Sequence, residues 1–395
     1  MKSTFFRIVT FIISFGHCVG FGQNQTLSKK LTQIHSKSNL PGFAVAIIKN
    51  EKVVFEEGFG FADLKSKTPY SLNAIQPVGS VSKTLIGFAL MKAVDLGYFT
   101  LETDINELLP FKVKSPHFPN SKIKIKDLAT HTSGLLDNET IYLKTYSVGE
   151  KPKESLNDFL KEYYVENGKY YSDNNFVKAE PGKMYNYSNI GAALAAYIVE
   201  LKSKTPFDVF TQKYIFEPLS MNQTHWFYDS EKSKNYATLY EVNKPETPEM
   251  ISFLNADNSV KTYSCVTYPD GSLKTSVADL TKYLLEMMKG YSGRSDLLSQ
   301  QSYKTLFEKQ FSEENPPLNL DKKEPNRGVF WAYNRRGYIF HTGGDLGVSA
   351  FVRFHPVTKN GLIILINTQL EGSNNEKPVE SFLKIVTEIE QFMEK

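Results

Sequence analysis

Val78-Gly79-Ser80-Val81-Ser82-Lys83-Thr84-Leu85-Ile86-Gly87-Phe88-Ala89-Leu90-Met91 is the stretch from which the rest of this chain can be read. It sets a hydroxyl and an amine three residues apart at the head of a segment that is apolar nearly all round. Such a segment is a buried helix, and positions i and i+3 of a helix share one face. A serine at its start gains from the positive end of the helix dipole as alkoxide character develops. Lys83, one turn on, is partly desolvated there, which favours its neutral, proton-accepting form. The bland alternative is a capping serine followed by a surface lysine.

The S-x-x-K pattern discriminates poorly by itself, because it recurs at Ser121 and Ser381. Ser121 opens the basic run Ser121-Lys122-Ile123-Lys124-Ile125-Lys126, with no buried helix behind it. Ser381 falls inside an amphipathic helical segment, as a polar position. Two more motifs follow Ser80 in chain order. Tyr187-Ser188-Asn189 comes after Glu180-Pro181-Gly182 and before the helical stretch Ile190 to Leu201. Its phenol can exchange a proton with Ser80 beside a lysine ammonium, and its amide can hold both lysine and substrate carbonyl. Ser172-Asp173-Asn174 competes for that role but sits in the polar loop Lys169 to Asn175, so Tyr187 is preferred.

His341-Thr342-Gly343-Gly344 ends a predicted strand, and its glycines let a substrate backbone approach the strand edge. Alone, His341 would read as a structural histidine; in this order and on this strand it reads as substrate-binding. A nucleophile, a proton carrier and a substrate-gripping edge are what amide or ester hydrolysis by a serine requires. No metal or other cofactor is expected: there is no HExxH, and His131, His225 and His355 are isolated.

Around these motifs, Gly42-Phe43-Ala44-Val45-Ala46-Ile47-Ile48, a polar turn and Val53-Val54-Phe55 make a hairpin with one deeply buried strand. Gly328 to Tyr333, Gly337 to Phe340, Val348 to Phe354 and Leu362 to Ile366 read as successive strands, with turns at Arg335-Arg336-Gly337 and Lys359-Asn360-Gly361. Leu27 to Ser38 and Pro378 to Glu394 read as amphipathic helices. One sheet assembled from both ends of the chain follows. The middle, Gly97 to Pro325, reads as a mostly helical insertion whose long loops shape a cleft.

The totals exclude some classes. The 395 residues include 46 basic and 43 acidic ones, a net charge of +3, so nothing argues for nucleic acid. Hydrophobic residues at 41% and charged residues at 23% suit an ordinary globular protein. Lys2 and Arg7 flank the short apolar stretch Ile8 to Phe15, and Gly20 and Gly22 precede Gln23-Asn24-Gln25. Residues 1–22 therefore read as an export signal cleaved after Gly22, giving a periplasmic or secreted protein with no spanning segment in the mature chain. An uncleaved anchor is the alternative, and His17 before Cys18 suits a lipid-attachment site poorly. Cys265 is then the only mature cysteine; within Thr262-Tyr263-Ser264-Cys265-Val266 it reads as a buried structural thiol on a strand.

These residues resemble the serine β-lactamase and penicillin-binding-protein superfamily, in the branch holding class C β-lactamases, DD-carboxypeptidases, D-aminopeptidases and related esterases. The resemblance runs from Gly42 to Gly344. Besides the three motifs it includes Leu128-Ala129-Thr130-His131-Thr132-Ser133-Gly134-Leu135, Phe216-Glu217-Pro218-Leu219-Ser220-Met221 and Gly271 to Leu280. It implies that Ser80 is the acylated nucleophile, Lys83 its proton acceptor and Tyr187 the shuttle to the leaving group. Asn189 would orient the substrate, His341, Thr342, Gly343 and Gly344 would line its binding edge, and the N–H groups of Ser80 and Gly344 would form an oxyanion hole. His131 looks structural. Many β-lactamases of this branch carry Lys where this chain has His341; His-Thr-Gly with Tyr-Ser-Asn is more typical of peptidases acting on D-residues.

The expected fold class is α+β: an antiparallel five-stranded sheet flanked by N- and C-terminal helices, with the mostly helical insertion. The expected organisation is a signal peptide at 1–22, a first α/β part at 23–96, the insertion at 97–325 and a second α/β part at 326–395. The expected function is serine hydrolysis of a small-molecule or peptide substrate, peptidoglycan fragments included, of the DD-carboxypeptidase or D-aminopeptidase kind. A β-lactamase or carboxylesterase is the alternative within the class. A catalytically silent binding module is the alternative outside it.

Overall fold

In the computed structural model, which describes residues 22–242, 247–370 and 376–394, Gly42–Lys49 is a strand buried almost throughout. Successive side chains of a strand point to opposite faces. Phe43, Val45 and Ile47 accordingly join one apolar cluster with Leu27 and Leu31 of the N-terminal helix and Ile385 and Ile389 of the C-terminal helix. Ala44, Ala46 and Ile48 join the larger cluster on the other face, with Leu85, Phe88 and Leu90 of the Ser82–Asp95 helix. A strand covered on both faces needs apolar residues at every position, which is why its sequence shows no alternation.

Asn50 and Glu51 adopt left-handed φ of 49° and 61°, the turn geometry that matches the twist of a tight hairpin. Lys52–Asp63 then returns antiparallel to Gly42–Lys49. On its other side Gly42–Lys49 pairs with the last strand, Asn360–Ile366, setting Phe43 opposite Ile366 and Ile48 opposite Gly361. Val348–His355 and Ile339–Asp345 follow in order. The two ends of the chain thus build one sheet, as their sequences predict.

The strand count differs from expectation. Among the described residues the sheet has eight strands, not five: the five long ones, plus two-residue strands at Thr68–Pro69 on one edge and at Ala332–Tyr333 and Asn326–Arg327 on the other. A pair of residues is too short for alternation to register. Gly328 to Trp331, expected as strand, instead forms a turn in which the Gly328 N–H donates to the Trp331 carbonyl at 2.8 Å. The strand expected at Gly337 to Phe340 begins at Ile339 and continues to Asp345, so the His341 motif lies within it rather than at its end.

Helices Asn189–Ser203 and Val277–Tyr291 stand where the middle of the chain reads as helical. Tyr263–Cys265 is a strand paired with Tyr146–Val148. Cys265 is buried between the Thr145 and Thr267 hydroxyls, and burial pushes its thiol up to about 12. It is therefore protonated and unreactive at neutral pH. The described N-terminal helix covers residues 22–36, starting ahead of the expected Leu27. The proposed export signal falls on residues 1–21, outside those described, and Gly22. Among the described residues no helix is long and apolar enough to cross a membrane.

Candidate active site

Ser80 sits in a single 3-10 turn, Gly79–Val81, immediately before the Ser82–Asp95 helix. Gly79 has φ +51°, a conformation that costs other residues a steric penalty. The Ser82 hydroxyl donates to the Gly79 carbonyl at 2.6 Å and accepts from the Leu273 N–H at 3.1 Å. Those two bonds pin the turn to the segment before the Val277–Tyr291 helix.

Lys83 is fully buried. Its Nζ donates to Ser80 Oγ at 3.0 Å, to Asn189 Oδ1 at 2.7 Å and to the Asp270 carbonyl at 2.8 Å. An amide oxygen and a backbone carbonyl can only accept, so each takes one N–H. The remaining tetrahedral position of the nitrogen, proton or lone pair, is directed at Ser80. That is the arrangement a serine needs if an amine is to take its proton.

Asn189 reaches Lys83 because the Asn189–Ser203 helix starts there. Asp137 fixes that start: it accepts from the Asn189 N–H at 2.6 Å, the Ser188 hydroxyl at 2.7 Å and the Ile190 N–H at 3.1 Å. Helix N-terminal N–H groups lack partners of their own, and a carboxylate there also meets the positive dipole end. Burial raises the Asp137 pKa, opposed by those three bonds and by the Lys83 charge.

Tyr187 is 39% exposed at the cleft. Its contact with Lys83 is through the ring face, with Nζ 4.9 Å from the centroid, rather than through the hydroxyl. The ring stacks on His131 at 4.3 Å. His131 is buried, accepts from the Ser188 N–H through Nδ1 at 3.2 Å, and has its pKa driven well down by desolvation. It is a neutral support for the Tyr187 loop. Ser172-Asp173-Asn174 goes elsewhere: Ser172 caps its own short turn, accepting from the Asn174 N–H.

The Ile339–Asp345 strand closes the other wall. Its pairing with Ala332–Tyr333 covers only Ile339 and Phe340, so from His341 onward that edge borders the cleft. Gly343 is required here. A Cβ on it would lie 2.0 Å from the Val78 carbonyl and 3.0 Å from the Ser80 nitrogen. A Cβ on Gly79 would likewise meet Gly344 at 2.7 Å. Two glycines thus let the backbones of the nucleophile turn and the strand touch. His341 donates from Nδ1 to the Thr342 carbonyl at 2.6 Å. Since a carbonyl only accepts, Nδ1 holds the proton and Nε2 is the ring's acceptor. Desolvation and the Lys83 charge push His341 down to about 3, so the imidazole is neutral.

A cavity of about 370 Å³ unites Ser80, Tyr187, Asn189, His341, Thr342 and Gly344. Lys83 lies beneath its floor, and Gly343 behind the strand edge. Asp270, Asp345, Tyr142 and Arg327 also line it, and none of them is marked by a sequence motif. Arg327 holds its guanidinium 4.8 Å over the Tyr185 ring and pairs with Glu324 at 2.5 Å. Among the described residues no group of acidic, histidine or cysteine side chains is arranged to hold a metal ion.

A family model described as Beta-lactamase matches residues 27–381. The chain belongs to the Beta-lactamase family. Its serine-hydrolase fold is shared with two solved structures. A class C β-lactamase mutant superposes with a TM-score of 0.68 at 18% identity, covering 92% of this chain and 98% of that one. An octameric penicillin-binding protein homologue from Pyrococcus abyssi gives 0.67 at 21% identity, covering 92% and 76%. Among curated relatives, "Protein flp" of Staphylococcus aureus (strain MRSA252) is 25% identical over 339 residues, 85% of this chain but 61% of the relative. This chain thus spans less than two thirds of that protein's length. "Beta-lactamase" of Yersinia enterocolitica is 23% identical over 363 residues, 86% of each.

Proposed function

We propose that this Beta-lactamase family member is an exported serine hydrolase that cleaves amide or ester bonds through an acyl-enzyme on Ser80. Its substrates are peptides with D-residues at the scissile bond, peptidoglycan fragments among them, as in DD-carboxypeptidases and D-aminopeptidases. The observation that carries this reading is the Lys83 nitrogen, held by the Asn189 oxygen and the Asp270 carbonyl with its remaining position on Ser80 Oγ.

In that role Ser80 Oγ attacks the substrate carbonyl and Lys83 takes its proton. The N–H groups of Ser80 and Gly344 stabilise the oxyanion, and Tyr187 passes a proton to the departing amine or alcohol. Water then attacks the ester, releasing the acid and returning the proton to Ser80. The neutral His341 favours peptides over β-lactams, because no lysine charge stands at that point of the strand. The export half of the proposal rests on the composition of residues 1–22.

The test is a substrate panel with purified protein: D-amino-acid peptides and amides, cephalosporins, and short acyl esters. Peptides or amides with D-residues are expected to give the highest kcat/KM. A cephalosporin or simple ester outrunning all of them would replace the peptidase reading with a β-lactamase or esterase.

A further inference from the structure

Residues directly paired across neighbouring strands share one face of a sheet. Phe340 and Thr342 alternate with His341 and Gly343, so they lie on the face turned away from Ser80. Register sets Phe340 opposite Arg353 and Thr342 opposite Phe351. It then sets Arg353 opposite Leu362 and Phe351 opposite Ile364. The C-terminal helix Glu376–Glu394 covers this face through Ile385 and Ile389, which are fully buried and join the cluster of Phe43, Val45 and Ile47. Toward the Ile339–Asp345 strand, Phe382 stacks on Phe351 with ring centroids 4.2 Å apart. Beside that stack lies a cavity of about 240 Å³, roofed by Phe382, Leu383 and Val386. Phe340, His341 and Thr342 line both it and the active-site cavity, so the third motif is a shared wall.

Among the described residues Arg353 is the one side chain lining this cavity that is charged at neutral pH. A guanidinium carries five N–H donors, yet that of Arg353 makes a single hydrogen bond among the described residues, from Nη2 to Glu390 Oε1 at 3.0 Å. Arg336 donates to the same oxygen, also at 3.0 Å. Glu390 follows Val386 by one helical turn, which sets this group at the end of the roof. Two guanidiniums on one carboxylate leave a positive charge uncompensated and donors to spare. An apolar chamber with a cationic end is complementary to an anion on an alkyl tail, since arginine grips a carboxylate through paired N–H groups. An apolar cavity of ~150 Å³ takes benzene, so this one has room for a longer chain.

We propose that this cavity is a second binding site, taking a free medium-chain carboxylate. The tail lies between strand face and helix, and the carboxylate meets Arg353 and Arg336. The site lies behind the third motif, away from Ser80, and stands independently of the hydrolase reading.

Isothermal titration of the wild type with butyrate, hexanoate, octanoate and octanol, each below its aggregation concentration, tests the site. Each added methylene is expected to tighten binding about fourfold, the worth of one buried CH₂. Octanoate should bind at least about tenfold tighter than octanol, as a charge-assisted hydrogen bond requires. Arg353→Gln is expected to erase that advantage while octanol still binds, and Val386→Phe to block both by filling the roof. To separate this site from the cleft, where an acid product would sit, the titration is repeated on protein labelled at Ser80 with a fluorophosphonate. Unchanged affinity is expected; lost binding would place octanoate in the cleft and overturn the proposal. Octanoate no better than octanol, or wild-type binding by folded Val386→Phe, overturns it as well. Binding to anionic vesicles with none to octanoate would make this face a membrane contact instead. A chain that resists labelling would sink the hydrolase reading alone, and Val386→Phe would still locate the ligand.

Discussion

The Gly343 α-carbon faces the Val78 carbonyl so closely that a methyl group there would stand 2.0 Å from the oxygen. This contact presses the third-motif strand against the nucleophile turn, and both obstacles are backbone, which cannot rotate aside. Gly343→Ala is therefore expected to separate the Ser80 and Gly344 N–H groups and to cost about 1–3 kcal/mol through overpacking. Turnover should fall ~10²–10³-fold, the loss seen when one oxyanion donor is misplaced. Thermal melting with steady-state kinetics checks both; an active variant with wild-type Tm would contradict the contact.

Tyr187 is half-open to the cleft and its ring is held by His131 stacking, so removal of its hydroxyl leaves the loop in place. Tyr187→Phe should retain the wild-type Tm yet lose ~10²–10⁴-fold in turnover, the usual worth of general acid–base help. Ser172→Ala and Asp173→Ala, in a turn outside the cavity, should change kcat far less. Comparable losses in both sets would show that the second motif was assigned to the wrong loop.

Burial pushes Asp270 from its ordinary 3.8 up to about 7, against the pull of the Lys83 charge. Between those values the folded protein keeps a proton that the unfolded chain has released. The group's contribution to stability is therefore full below pH 3.8 and is lost as pH rises to about 7. Asp270→Asn stays neutral throughout and avoids that loss. Its Tm relative to wild type should be higher at pH 8 than at pH 4.5 by at least ~3 °C. A pH-independent difference would mean that Asp270 is not an ionising buried acid.

His341, pushed down to about 3, carries no charge over the range in which the enzyme would work. His341→Lys installs one. We expect it to move relative kcat/KM toward carboxylate-bearing substrates such as β-lactams by roughly tenfold or more. An unchanged substrate profile, with Ser80→Ala still inactive, would leave the nucleophile standing and refute the reading of the third motif.

Ser80, Lys83, Tyr187 and the His341 strand were legible because three motifs, the first of them common by itself, stand in one chain order on local elements that periodicity reveals. The positioning groups were not. Asp137 caps a helix that begins 52 residues later, and Asp270 offers its carbonyl to a lysine 187 residues away. Nothing local to either marks it, since a turn carboxylate looks the same whether it caps a helix or faces water. Arg327 lies on a two-residue strand too short to show a pattern. Tyr187 was expected to lie beside Lys83, but that the contact is through the ring face, with His131 stacked on the ring, leaves no trace in the sequence. Gly42–Lys49 and Asn360–Ile366 were readable for the opposite reason: burial writes itself into every residue of each but one end position, Lys49 and Asn360.

The central claim is that Ser80 forms the covalent bond and Lys83 takes its proton. Intact-protein mass spectrometry after brief exposure to a fluorophosphonate tests it most directly, with the modified peptide sequenced. One adduct per chain is expected, on Ser80, absent from Ser80→Ala and slowed by more than ~10²-fold in Lys83→Ala, because parts of one proton-transfer unit fail together. An adduct on another residue, or a Lys83→Ala protein that acylates at the wild-type rate, would contradict it.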